Sequence, residues 1–378
     1  MDLGLTEIQQ MLKTSAQDFL SRECPLTLVR EMEEDPRGFT DGLWRQMINL
    51  GWTGVAFPEQ YGGTGGNFAD LAVLLEEIGR SLAPAPFFST VVLGGMTVLD
   101  GGSDAQKDDL ISRTCAGTII MTLAVPEAAA AYEPWDILTT AIQQGGGYEI
   151  TGTKLFVPDA EAADVIIVAA RTSSGQDPAD GVSLFLVPSG TAGLTITPMQ
   201  SVGSEKVFEV SLDKVNVPAE SVIGAVGEAW PIIDRSIQRA TAAQCIQMLG
   251  GAEAVLDMTV EYAKGRTQFG RAIGTFQAVQ HHCARMATDV EGSKGVAFQA
   301  VWRLSEGLPA KKEVAMAKAW IGPAYRRVCA TAHQCHGAIG FTKEHDLQLY
   351  TRRAKVHELT YGDANHHKEI ALQRIDDE

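Results

Sequence analysis

A chain of 378 residues, 45% of them hydrophobic, has the length for two or three domains and the apolar content for a large core. Its net charge of −16, from 47 acidic against 31 basic side chains, opposes a polyphosphate backbone, so no nucleic-acid partner is expected. No run approaches the ~18 apolar residues of a membrane span. The opening MDLGLTEIQQ lacks the basic and apolar stretches of a secretory signal, and the six cysteines form no CxxC pair, so a soluble cytoplasmic protein with reduced thiols is expected.

Residues 1–117 read as a helical domain. Thr6 stands as a cap before an acid, Glu7, in the first turn. The run from Asp70 to Gly79 has apolar residues at helical spacing and is expected to stop at Gly79. The glycine-rich stretch from Phe57 to Asn67 invites a phosphate-cradling reading. It lacks GxGxxG spacing and a preceding strand, so a tight connection between helices is favoured.

Residues 118–222 change period. Short β-branched runs such as TIIMTLAV, YEITGTK, DVIIVAA and GVSLFLV alternate with Gly, Pro, Asp and Ser. No helix-length segment separates them, which points to an antiparallel β-domain and away from a βαβ nucleotide fold. Residues 223–378 return to helical spacing over Glu228 to Gly265, Thr275 to Leu304 and Lys311 to His336, with a fourth stretch from His345 onward. The fold class is α+β, mostly α: a helical domain, a central antiparallel β-domain and a C-terminal four-helix bundle. The pair His333 and His336 could share a helix face, but no acidic partner stands at metal-ligand spacing, so no metal is expected.

Four strings in collinear order carry a resemblance. They are LGWTGVAFPEQYGGTGG (Leu50 to Gly66), VNVPAESVIG (Val215 to Gly224), RTQFG (Arg266 to Gly270) with FQAVQH (Phe276 to His281), and QCHGAIGF (Gln334 to Phe341) with Arg352 to Lys355. Together they resemble the acyl-CoA dehydrogenases across nearly the whole chain. The resemblance implies FAD as cofactor and an acyl-CoA as substrate. It also implies oxidation to a trans-2-enoyl-CoA by a carboxylate base and hydride transfer to flavin. It further implies an electron-transfer acceptor and a flavin shared at a dimer interface.

The half of a flavin site that such a chain lends to its neighbour is present. By resemblance Arg266 would meet pyrophosphate, Phe269 would pack on the cofactor, and Gln277 would offer an amide. Gln334, Gly337, Ala338 and Gly340 would let backbone amides approach phosphates. The half kept for the chain's own flavin is eroded. The loop from Leu123 to Ala131 lacks the family's hydroxyl, and Pro158 stands where a hydroxyl and backbone N–H would donate to the ring. By the same resemblance Tyr361 occupies the usual place of the base, and on the first bundle helix Ala240 stands at the base's alternative place and Thr241 at that of the Arg that follows it. The catalytic residue is therefore unassigned, with Glu358 and Asp363 as fallback candidates.

The chain thus resembles the base-lacking subunit of heteromeric acyl-CoA dehydrogenases, expected in a heterotetramer with a base-bearing paralogue. Such pairs occur among enzymes that shorten steroid side chains. Two alternatives stay open: a homo-oligomeric dehydrogenase with a relocated base, and a catalytically silent acyl-CoA-binding protein.

Overall fold

Thr6 caps the first helix in both directions: its hydroxyl accepts from Gln9 N, and the Gln9 side chain returns to the Thr6 N–H. The computed structural model describes residues 4–130 and 132–375. Ala131, in the loop read above as lacking a hydroxyl, and the extreme ends of the first and third domains lie outside the described residues.

The N-terminal helices are α1 (Glu7–Glu23), α2 (Leu26–Glu34), α3 (Asp41–Asn49) and α4 (Phe68–Ser81). A π-helical run, Phe88–Gly95, leads into α5 (Met96–Gly101), followed by the short α6 (Asp104–Gln106) and α7 (Ser112–Cys115). The glycine-rich stretch is a packing device. A Cβ on Gly63 would stand 2.1 Å from the Phe57 carbonyl oxygen, and one on Gly66 would stand 2.4 Å from that of Val55. Gly79 does not end α4, which runs on to Ser81. Gly79 is small because another helix crosses there: its Cβ would lie 2.2 Å from the Gln247 carbonyl oxygen.

The central domain holds β1 (Met121–Ala124), β2 (Thr140–Gln144), β3 (Gly147–Pro158), β4 (Val165–Arg171), β5 (Val182–Pro188), β6 (Leu194–Met199), β7 (Val207–Pro218) and β8 (Val222–Ile223). They form one sheet in the order β6-β7-β3-β2-β4-β5-β8, with β1 added against β4. Most pairings are antiparallel, as expected, but β1 runs parallel to β4 and makes the sheet mixed. Alternation along β4 serves two cores. Ile166, Val168 and Ala170 face the interior of the β-domain, and Ile167 and Ala169 join the helical core. Between Lys154 and Val157 the β3–β7 register slips, and Phe156 takes φ +56°. That bulge returns Val157 to the β-domain core and turns Phe156 and Pro158 to a cavity wall.

The bundle contains α8 (Trp230–Gly265), α9 (Gln277–Ser305), α10 (Lys311–His336), α11 (Leu347–Leu359) and α12 (Ala364–Gln373). Between α8 and α9 lies a two-stranded hairpin, β9 (Thr267–Gln268) and β10 (Arg271–Ala272). The fourth helical stretch is two helices because the chain breaks at Tyr361 and Gly362, with φ +60° and +96°. No helix among the described residues is long and apolar enough to cross a membrane.

Candidate active site

A cavity of about 580 Å³ opens between the β-domain and the helices. The β-domain contributes Leu123, Val125, Pro126, Phe156 and Pro158; α8 contributes Ala240 and Gln244, and the α11–α12 break contributes Tyr361. A buried ion pair holds the β-domain wall in place. Lys154 Nζ lies 2.7 Å from Glu127 Oε1 and donates to the Val125 carbonyl at 3.1 Å, while Glu127 accepts from the backbone of Leu138 and Thr139. Burial pulls Lys154 down to about 8, against the opposing pull of Glu127. Pro158 has no N–H to present, and its carbonyl accepts from the Thr122 hydroxyl at 2.7 Å.

Tyr361 is buried, with its ring 5.2 Å from that of Tyr132 and 6.4 Å from that of Phe88. Its carbonyl accepts from His367 Nε2 at 2.8 Å, which pins the break. Burial pushes the Tyr361 hydroxyl well above its ordinary value, so it stays protonated and cannot accept a proton at neutral pH.

The two fallback carboxylates are engaged elsewhere, and neither lines the cavity. Glu358 pairs with Arg326 Nε and Lys355 Nζ, each at 3.1 Å. Asp363 caps α12, accepting from the backbone N–H groups of Asn365 and His366. The His366 N–H, more than any other group, holds its carboxyl below the usual range.

Three other carboxylates do line the cavity. Glu33 is gripped by both of its oxygens by Arg352, at 2.7 and 2.8 Å. Glu205 lies 2.6 Å from His357 Nε2 and 3.6 Å from Arg353. Burial alone would raise its pKa, but His357 and Arg353 outweigh burial and hold it at about 2. Asp159 accepts from the Ser89 hydroxyl at 2.6 Å, and burial pushes it up to about 7 in spite of that bond. Sequence reasoning missed Asp159 and Glu205. Asp159 had one signal, its place directly after Pro158, and Glu205 had none, because its partners are some 150 positions away in sequence.

None of the seven cofactor-binding candidates lines this cavity. They gather on another edge of the bundle. Arg266 follows the last residue of α8 and is exposed, and its guanidinium has no hydrogen bond or ion pair among the described residues. One turn earlier Tyr262 stacks on His336 at 4.4 Å, which brings the end of α8 to the end of α10. There Gln334 is exposed, and Gly337, with φ +67° and ψ −146°, makes the turn that a side chain would strain. Ala338 is exposed in that turn, and Gly340 is buried against His336. Phe269 and Gly270, both with positive φ, form the tip of the hairpin. Phe269 is 92% exposed, with Phe276 edge-on to its ring at 6.1 Å. Gln277 opens α9, at the positive end of its dipole. An unpaired guanidinium, a helix N-terminus and a glycine turn on one edge fit a pyrophosphate.

The chain matches, in order, the family models for the acyl-CoA dehydrogenase N-terminal domain over residues 6–118, the middle domain over 122–215 and the C-terminal domain over 227–375. It is similar to YngJ, a probable acyl-CoA dehydrogenase of Bacillus subtilis, with 30% identity over 367 residues and 96% of both chains covered. Among solved structures it is similar to the ChsE4–ChsE5 complex of Mycobacterium tuberculosis, with 30% identity, TM-score 0.91 and both chains fully covered. It is also similar to a variant of the Tcur3481–Tcur3483 steroid ACAD, with 29% identity, TM-score 0.87 and 99% of each chain covered.

Proposed function

The chain belongs to the acyl-CoA dehydrogenase family, whose members are FAD-dependent oxidoreductases, and from that premise we propose that it is the flavin-sharing, base-lacking subunit of a heteromeric enzyme. The observation that carries this reading is the burial of Tyr361, at the place where the resemblance puts the base, as a phenol packed against Tyr132 and Phe88. Pro158 supports it, because its own nitrogen carries no hydrogen to offer a flavin ring.

On this reading Arg266, Phe269, Gln277, Gln334 and the turn of Gly337, Ala338 and Gly340 hold the pyrophosphate end of an FAD whose ring lies in a base-bearing paralogue. Bound there, FAD supplies the hydride acceptor for α,β-dehydrogenation of an acyl-CoA to its trans-2-enoyl-CoA. This chain's own part is binding and orientation of the cofactor. Two similar structures are two-chain assemblies, and one of them is a steroid enzyme, which supports a heterotetramer and a bulky acyl-CoA. The reduced flavin would pass its electrons to an electron-transfer partner. Six unpaired cysteines are in keeping with a cytoplasmic location.

Substitution of a residue far from any base tests the sharing. In a complex co-expressed with a base-bearing paralogue, Arg266→Ala in this chain is expected to lower bound FAD and acyl-CoA turnover together, by about tenfold, as loss of a charge-assisted contact should. Unchanged flavin content and turnover would contradict the reading.

One observation favours a second reading. Asp159 is a cavity carboxyl that burial pushes up to about 7, into the range that suits a general base, and would serve a chain that turns over alone. Its bond from Ser89 and the neighbouring Pro158 argue against it. Turnover by the lone chain, abolished by Asp159→Asn, would establish it.

A further inference from the structure

A second, smaller space lies behind one wall of the cavity. It is a crevice of about 40 Å³ between α8, α10, α12 and the connection from β1 to β2, with room for a few waters. Its rim is polar. Lys311 and Asp234 pair there at 2.7 Å with side chains 33% and 28% exposed, so the crevice reaches solvent, and Gln238 donates to the same carboxylate at 2.8 Å. Tyr132, Ile237 and Tyr361 line both the crevice and the larger cavity. These side chains are therefore the partition between the two spaces.

The members of the partition are not equally fixed. Ile237 stands within α8, and Tyr361 is pinned by His367 at the break between α11 and α12. Tyr132 lies on the connection from β1 to β2, outside any helix or strand, and is only partly buried. Its ring leans on that of Tyr361 at 5.2 Å, tilted by 45°, and the Tyr361 backbone bonds its hydroxyl. A side chain so placed changes rotamer far more readily than a helix shifts.

We propose that Tyr132 is a gate, closed in this structure, between the crevice and the cavity. Turned away from Tyr361, its ring joins them into one passage from the polar rim to the apolar wall of Ile78, Leu82 and Ala240. An acyl-CoA lies across the partition only in that open state. Its affinity is then lowered by the fraction of molecules whose gate is open. A ligand that enters on the side of Phe156 and Val202, both exposed, does not meet the gate. The inference rests on the acyl-CoA reading of the family fold and adds that this chain's cavity is closed at rest on its α8 side.

Calorimetric titration of the purified full chain with octanoyl-CoA tests it, because the two kinds of wall differ in sign. Truncating an aromatic side chain in a fixed wall removes contacts and weakens binding. Truncating a gate removes the cost of opening and tightens binding. Tyr132→Ala is expected to lower the Kd for octanoyl-CoA by about tenfold. Leu93→Ala enlarges the same cavity away from the partition and is expected to give no gain. Unchanged or weaker affinity in Tyr132→Ala would overturn the inference, as would an equal gain in Leu93→Ala or binding by neither parent nor variant. The subunit reading is judged separately, by the flavin content of the Arg266→Ala complex.

Discussion

Asp159 faces the cavity in a state set by its surroundings, and its titration gives a test with a definite sign. Burial pushes its carboxyl up to about 7 in the folded chain, from 3.8 for an ordinary aspartate. Below pH 3.8 both folded and unfolded forms are neutral. Between pH 3.8 and 7 the unfolded chain has released the proton that the folded chain keeps, so this residue makes stability fall as pH rises. Asp159→Asn keeps an oxygen for the Ser89 hydroxyl and removes that loss. The variant is expected to match the parent near pH 4 and to exceed it by on the order of 2 kcal/mol at pH 8 in denaturant unfolding. An advantage that shrinks with rising pH would contradict the assignment.

The Lys154–Glu127 pair obeys the rule for buried charges that depend on each other. Lys154→Met leaves Glu127 buried without its counter-ion, and a loss of about 3–5 kcal/mol in denaturant unfolding is expected. Loss below about 1 kcal/mol would mean that water reaches Glu127. At this scale the sequence was informative where a residue's chemistry is intrinsic: Pro158 lacks an N–H wherever it sits. It did not give the character of Glu205 and Asp159, which comes from His357, Arg353 and Ser89, distant in sequence and brought close by folding.

Between elements, α4 and α8 cross in close backbone contact. Gly79 faces the backbone of Gln247, and Gly250 faces that of Glu76, where a Cβ would stand 1.9 Å from the carbonyl oxygen. Neither contact atom belongs to a movable side chain. Gly250→Ala must push the helices apart, and a loss of about 3 kcal/mol or more is expected by thermal or denaturant unfolding. A neutral substitution would show that the crossing is looser than the backbone positions require.

The same crossing explains why Gly79 misleads as a stop signal. Glycine ends helices by adopting positive φ, but it also thins them, and single-chain periodicity cannot separate the two uses. α10 was legible to both ends because apolar spacing and the Gly337 turn agree. The break between α11 and α12 was not. Tyr361 takes a left-handed conformation that its residue type disfavours, and contacts to Tyr132, Phe88 and His367 hold it there. β1 likewise gave a strand signal without a direction. Its parallel pairing with β4 depends on where α7 delivers the chain.

For the whole molecule, the order of helices, sheet and bundle follows from the change of hydrophobic period, 3.6 to 2 and back. What no single chain's pattern contains is a second chain. The cavity and the edge with Arg266, Gln277 and Gly337 are separate places on this protein, and on the proposed reading a partner unites the edge with a flavin ring. The exposed Phe269, Ile339 and Phe341 around that edge are surfaces such a contact would cover.

The most direct test is the ratio of FAD to polypeptide, with the response of that flavin to acyl-CoA. This chain purified alone is predicted to hold far less than one FAD per chain and to show no bleaching with any acyl-CoA. Joined to a base-bearing paralogue it is predicted to form a yellow complex with one FAD for each pair of chains. One FAD per chain in the isolated protein, bleached on addition of an acyl-CoA, would contradict the account.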